Sequence, residues 1–164
     1  MTALFYSFTA KKSSQVAKHI IEEWGKGLEV VDVDKARGED LAKYDALILG
    51  VPTWFDGELP SYWDEMVPEI ENADLKGKKA AIYGLGDQKG YPENYVDGIG
   101  LMADILMEQG IEIVGHTSAE GYKFERSVSY RNGEFIGLAL DFENQAGLSE
   151  ERIKNWVKQL KKEF

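Results

Sequence analysis

The chain has 164 residues, 43% hydrophobic and 29% charged, with a formal net charge of −10 at pH 7. That length and balance suit one folded domain, residues 1–164, and exclude a disordered chain, while the negative charge disfavours nucleic acid and anionic membranes as partners. Cysteine is absent, which removes disulfides, thiolate metal centres, iron–sulfur clusters and cysteine nucleophiles.

Apolar runs alternate with helical patterns. The first strand is ALFY (3–6), and it leads through hydroxyl-bearing residues into SSQVAKHIIEEW, a helix with Val16, Ile20, Ile21 and Trp24 on one face. Ser13 or Ser14 is the expected N-cap. LEVVDV (28–33) and ALILGV (46–51) are the next strands. In LPSYWDEMVPEIENADL, Pro68 would break or kink a helix. KAAIYGL (79–85) is the fourth strand, and VDGIGLMADILMEQG follows as a helix with Val96, Ile99, Ala103, Leu106 and Met107 together and Gly110 as its stop. EIVGHT (112–117) is the fifth strand. Residues 118–138 break the rhythm. They carry a hairpin signal at Asn132-Gly133 and a cluster of aromatics, and LALD then resumes the fifth strand. The last helix opens at Ser149, expected as its cap, and aligns Ile153, Trp156, Val157 and Leu160. This alternation predicts an α/β fold with a parallel sheet and right-handed crossovers.

In such sheets ligands bind beyond the carboxyl ends of the strands, which selects three segments. SFTAKKSS offers Ser7, Thr9, Ser13 and Ser14 beside a helix N-terminus, the chemistry of an anion site. Taken alone, it reads more readily as a hydroxyl-rich loop capping a helix than as an anion site, and it matches neither the GxxxxGK[ST] nor the GxGxxG glycine pattern. PTWFDGELPSYW places Trp54 in a polar loop with no core to join, and GDQKGYPENY places Tyr91 at the matching position after the fourth strand. Two such rings beside an anion site describe a slot for a flat ring with a phosphate tail. His19 and His116 have no evident catalytic partner.

These segments, together with GYKFERSVSYRNGEFIGLALDFENQ and ERIKNWVKQLKKEF, span almost the whole chain, and in their order they resemble a long-chain flavodoxin. The resemblance implies a flavodoxin-like three-layer sandwich, its five parallel strands in the order 2-1-3-4-5 with an insertion in the last, and bound flavin mononucleotide (FMN). Ser7 and Thr9 match the first hydroxyls of the family's phosphate loop. Ala10 replaces its glycine, and Lys12 or Ser13 takes the third hydroxyl's place, with Lys11 a further candidate. Pro52, Thr53 and Trp54 match the loop on one flavin face. Phe55, Asp56 and Gly57 match the turn that reorients on flavin reduction. Leu85, Gly86, Asp87, Tyr91 and Asn94 match the loop on the other face and edge, and Glu143 stands where aspartate is usual near the ribityl chain.

The function implied is low-potential one-electron transfer between proteins, not enzymatic turnover. An FMN-dependent oxidoreductase such as a quinone reductase is the alternative on the same fold. Carboxylates such as Asp56, Glu58 and Asp87 would disfavour the reduced anion. One charge at about 10 Å and an effective dielectric of about 20 is worth ~1.7 kcal/mol, or roughly 70 mV for one electron. The acidic surface implies transient, basic redox partners, both reductases and electron-accepting enzymes, for a monomeric protein. The sequence shows no secretory pattern or apolar span, so a cytoplasmic location away from membranes is expected.

Overall fold

Strands and helices alternate as the apolar periodicity requires, in a computed structural model that describes residues 1–164. The elements are β1 (Thr2–Tyr6), α1 (Lys11–Trp24), β2 (Leu28–Asp32), α2 (Gly38–Ala42), β3 (Ala46–Gly50), α3 (Ser61–Asn72), β4 (Lys79–Leu85) and α4 (Asp97–Glu108). After them come β5 (Glu112–Ile113), β6 (Thr117–Ser118), β7 (Tyr130–Arg131), β8 (Glu134–Phe135), β9 (Leu138–Leu140) and α5 (Ser149–Glu163). The main sheet runs β2-β1-β3-β4-β5, and all its pairs are parallel.

The last position of the sheet is one strand in two pieces. β5 pairs with the start of β4 (Lys79 with Glu112), and β9 pairs with its end (Leu85 with Leu140). Between them the insertion folds into an antiparallel ribbon, β6-β8-β7. Its β7–β8 turn is Asn132-Gly133, with φ of 54° and 84°, the left-handed pair that a two-residue hairpin loop demands and that Asn-Gly adopts at least cost.

Side chains alternate across the sheet and bury two cores. Leu4, Ile48, Ala81 and Tyr83 face α1 and α5, meeting Val16, Ile20, Ile153, Trp156 and Leu160. Ala3, Phe5, Leu47, Leu49 and Ile82 face the other way, onto Leu41, Trp63, Met66, Ile70, Ile99 and Leu106. Both buried indoles keep a polar partner: Trp63 Nε1 donates to the Gly50 carbonyl and Trp156 Nε1 to that of Gly115, each at 2.8 Å.

Several expectations are corrected. α1 begins at Lys11 with Ala10 as its N-cap, so Ser13 and Ser14 lie inside the first turn. Lys11 and Lys12 are good helix formers and extend the helix backwards. Likewise Ser149 is the first residue of α5, with Leu148 before it and no side-chain cap. α3 runs through Pro68, because Trp63, Met66 and Ile70 bury its inner face. Val96 precedes α4 in a left-handed conformation, and Met107 is exposed while Met102 is buried. His116 does have a partner: its Nδ1 lies 2.8 Å from Glu134 Oε2. No helix is long and apolar enough to cross a membrane.

Candidate cofactor site

A cavity of about 780 Å³ opens where β1, β3, β4 and β9 end, lined by the loops that follow them. That volume lies in the range of small-molecule sites.

The β1–α1 loop supplies one end. Ala10 is extended, with φ −80°, so alanine replaces glycine there without left-handed strain. The amides of Lys11, Lys12 and Ser13 precede the first helical hydrogen bond, Ser14 N–H to Ala10 O at 2.9 Å, and have no acceptor in the chain. Ser13 Oγ is buried and also unpartnered. Ala10, Lys11, Lys12 and Ser13 all line the cavity. Orphan donors at a helix N-terminus are the chemistry that suits an anion.

Ser7 and Thr9 do not share that wall. Ser7 is fully buried and its Oγ donates to Asp34 Oδ2 at 2.9 Å, with Thr9 Oγ1 3.0 Å from Ser7 Oγ. Asp32 Oδ1 accepts the Phe8 N–H at 3.2 Å. The two carboxylates come from the end of β2 and the turn after it, beside the end of β1, and draw these donors away from the cavity. Thr9 lines a separate recess with Asp34, Trp54 and Tyr62.

The β3–α3 loop supplies Pro52, Thr53, Trp54 and Phe55. Trp54 and Glu58 exchange two 2.8 Å backbone hydrogen bonds around a turn in which Phe55 and Gly57 have positive φ. This tight turn leaves Phe55 75% exposed and Trp54 38% exposed. Thr53 Oγ1 accepts the Gly98 N–H at 2.9 Å, fixing the loop to the start of α4. Asp56 and Gly57 lie off the cavity wall. Gly57 instead packs against Asn94 and Asp97, leaving no room for a Cβ. Burial pushes the Asp97 carboxyl up, opposed by the hydrogen bond it accepts from Val128 N–H.

The β4–α4 loop supplies Leu85, Gly86, Asp87, Tyr91 and Asn94. Asp87 Oδ1 accepts from the amides of Gly90 (2.8 Å) and Lys89 (3.1 Å) and from Asn144 Nδ2 (2.7 Å). These bonds, that of Gly90 foremost, hold its carboxyl below the usual range. The turn they shape presents Tyr91, 56% exposed. Behind it, Asp141 is fully buried. Burial alone would raise its carboxyl, but bonds from the side chains of Asn144 and Gln88 and from the amides of Gln88 and Asn144 hold it low. Asp141 also accepts the Glu143 N–H at 3.0 Å, which fixes the loop carrying Glu143 and Phe142.

Two exposed rings from adjacent strand ends, a helix N-terminus with orphan donors and a sheet order of 2-1-3-4-5 now stand together. The flavodoxin family model matches residues 4–156. The chain belongs to the flavodoxin family. A flavodoxin from Nostoc sp. is 44% identical over 162 residues, covering 98% of this chain and 95% of that protein. Flavodoxin 1 of Escherichia coli K12 is 39% identical, covering 100% and 94%. The crystal structure of Fusobacterium nucleatum flavodoxin bound to flavin mononucleotide superposes with a TM-score of 0.93 at 34% identity, covering 99% of this chain and 98% of that one.

In this chain the cavity has further lining residues, Tyr95, Val96 and Phe142, that sequence patterns did not single out. Phe142 adjoins Asp141 in the DFENQ segment, so that segment was the available signal. Tyr95 closes the GDQKGYPENY loop, in which Tyr91 alone was singled out, and Val96 reads as part of an apolar helix face, with nothing to show that it reaches the cavity.

Proposed function

We propose that this chain is a low-potential electron carrier using non-covalently bound FMN, working as one domain between partner proteins. Bound FMN supplies the one-electron chemistry, and the chain's residues bind, orient and shield it. The observation that carries this is the joining, in one cavity, of Trp54 and Tyr91 with the orphan donors of Lys11, Lys12 and Ser13. The amides of Lys11–Ser13 and Ser13 Oγ take the phosphate, with Lys11 Nζ as a nearby cation. Trp54 and Tyr91 cover the ring, and Phe142 and the Glu143 loop border the chain between ring and phosphate. Ser7 and Thr9 support the loop through Asp34 and do not touch the phosphate themselves.

With both rings at the cavity, little of the flavin face is left for a second substrate, which favours a carrier over a quinone reductase. The net charge of −10 suits basic partners that dock transiently at the exposed flavin edge, in a monomeric cytoplasmic protein. The test is uptake of FMN by cofactor-free protein, followed by transfer of its electrons to a one-electron acceptor protein. Uptake without transfer, or rapid turnover of reduced nicotinamide with a quinone, would oppose this function.

A further inference from the structure

Lys12 Nζ and Glu143 Oε1 form an ion pair, joining segments 131 residues apart in sequence. Both residues line the cavity. The two ends are held differently from the side chains that meet. Lys12 sits in the first turn of α1, whose next residue, Ser13, has its carbonyl fixed by the buried Tyr83 hydroxyl at 3.0 Å. The Glu143 amide is fixed by buried Asp141. The side chains themselves are each 51% exposed. Two hydrogen-bonded backbone segments are thus bridged by one solvent-facing side-chain contact. Lys11, its neighbour on the same wall, makes no ion pair and remains available to an anion.

We propose that Lys12 and Glu143 form a strap across the anion end of the cavity, and that its opening governs how fast a flavin enters and leaves. This rests on the cavity being the flavin site. Lys12 acts here as a positioning residue paired to Glu143, while the amides of Lys11–Ser13 and Ser13 Oγ hold the anion. An exposed pair adds little to equilibrium stability. As a contact that must break for passage, it still slows both directions, by about 2- to 5-fold for a pair of this kind.

Stopped-flow fluorescence of cofactor-free protein with FMN and with riboflavin, which lacks the phosphate, tests this. K12Q and E143Q should each speed release of both flavins by about 2- to 5-fold. Added salt should speed release from the unmodified protein toward that of the variants and leave the variants themselves little changed. The charge-swapped K12E/E143K should restore slow riboflavin release, which loss of a merely structural contact would not do. If K12Q affects FMN alone, Lys12 is an anion ligand and the strap is wrong. If neither single variant changes release, or the swap fails to restore it, the strap is likewise overturned. Failure of the unmodified protein to quench either flavin would instead overturn the cofactor site itself.

Discussion

The hydroxyl of Tyr83, at the centre of the sheet, donates a 3.0 Å hydrogen bond to the carbonyl of Ser13 in the first turn of α1. Tyr83 is fully buried, and Gly50 on the neighbouring strand leaves room for its ring, since a Cβ there would run into the phenol. The sheet thereby sets the height of the helix end that presents the orphan amides. Y83F should cost about 0.5–1.5 kcal/mol of stability. It should also weaken FMN more than riboflavin, because the phosphate end alone is displaced. Denaturant titration paired with fluorescence titration of the two flavins reads both effects.

Ser13 gives a prediction with two signs. Its Oγ is buried without a partner in the cofactor-free chain, a cost that a ligand's oxygen would relieve. S13A should leave the cofactor-free protein as stable or slightly more stable. It should also lower FMN affinity by about 10- to 100-fold, the scale of a hydrogen bond to a charged group, with riboflavin unaffected. Equal loss for both ligands would show that Ser13 does not meet the phosphate.

The carboxylates that shape the Tyr91 turn predict a response to acid. Asp87 and Asp141 are both held below their ordinary values in the fold. A depressed carboxylate contributes stability that is fully present above the unfolded value, about 3.9, and is lost as pH falls through the lower folded value. The loop and its grip on the flavin should therefore hold through neutral pH and fail only below about pH 4. D141N should remove the Asp141 share of this dependence. It should also destabilise the protein by about 1–3 kcal/mol, since the amide it introduces would face N–H donors in a buried network. Flavin fluorescence and circular dichroism across an acid titration measure this.

Much of the fold was legible because it rests on local periodicity. The apolar runs of the strands, the α5 stripe and the Asn132-Gly133 turn are all patterns among residues close in sequence. Trp54 and Tyr91 were legible for a related reason, as large rings placed in polar loops past buried strands. The fates of Ser7 and Thr9 were not, because the carboxylate that takes their hydroxyls, Asp34, lies after the next strand. The helix starts misled for a different reason. Serine near a helix start signals a cap, but α1 begins two residues before Ser13, and α5 begins at Ser149 itself rather than after it. The short α2 lacks a repeat long enough to show periodicity. It is held from outside, by Glu69 of α3 accepting from the Gly38 amide and pairing with Arg37.

Tyr91 is more than half exposed, so Y91A should change the stability of the cofactor-free protein by no more than about 0.5 kcal/mol. Its effect should fall on the flavin: weaker binding and a less negative potential for the second electron, as water reaches the ring and solvates the reduced anion. Spectroelectrochemistry of the loaded variant measures the shift. An unchanged potential would mean that Tyr91 does not cover the ring.

The most direct test of the account is a potentiometric reduction of the FMN-loaded protein followed by absorbance. A carrier whose residues shield the ring and surround it with carboxylates should take up its two electrons in two resolved one-electron steps, the second at the lower potential. A single two-electron step, or a protein that takes up no FMN to be reduced, would contradict it.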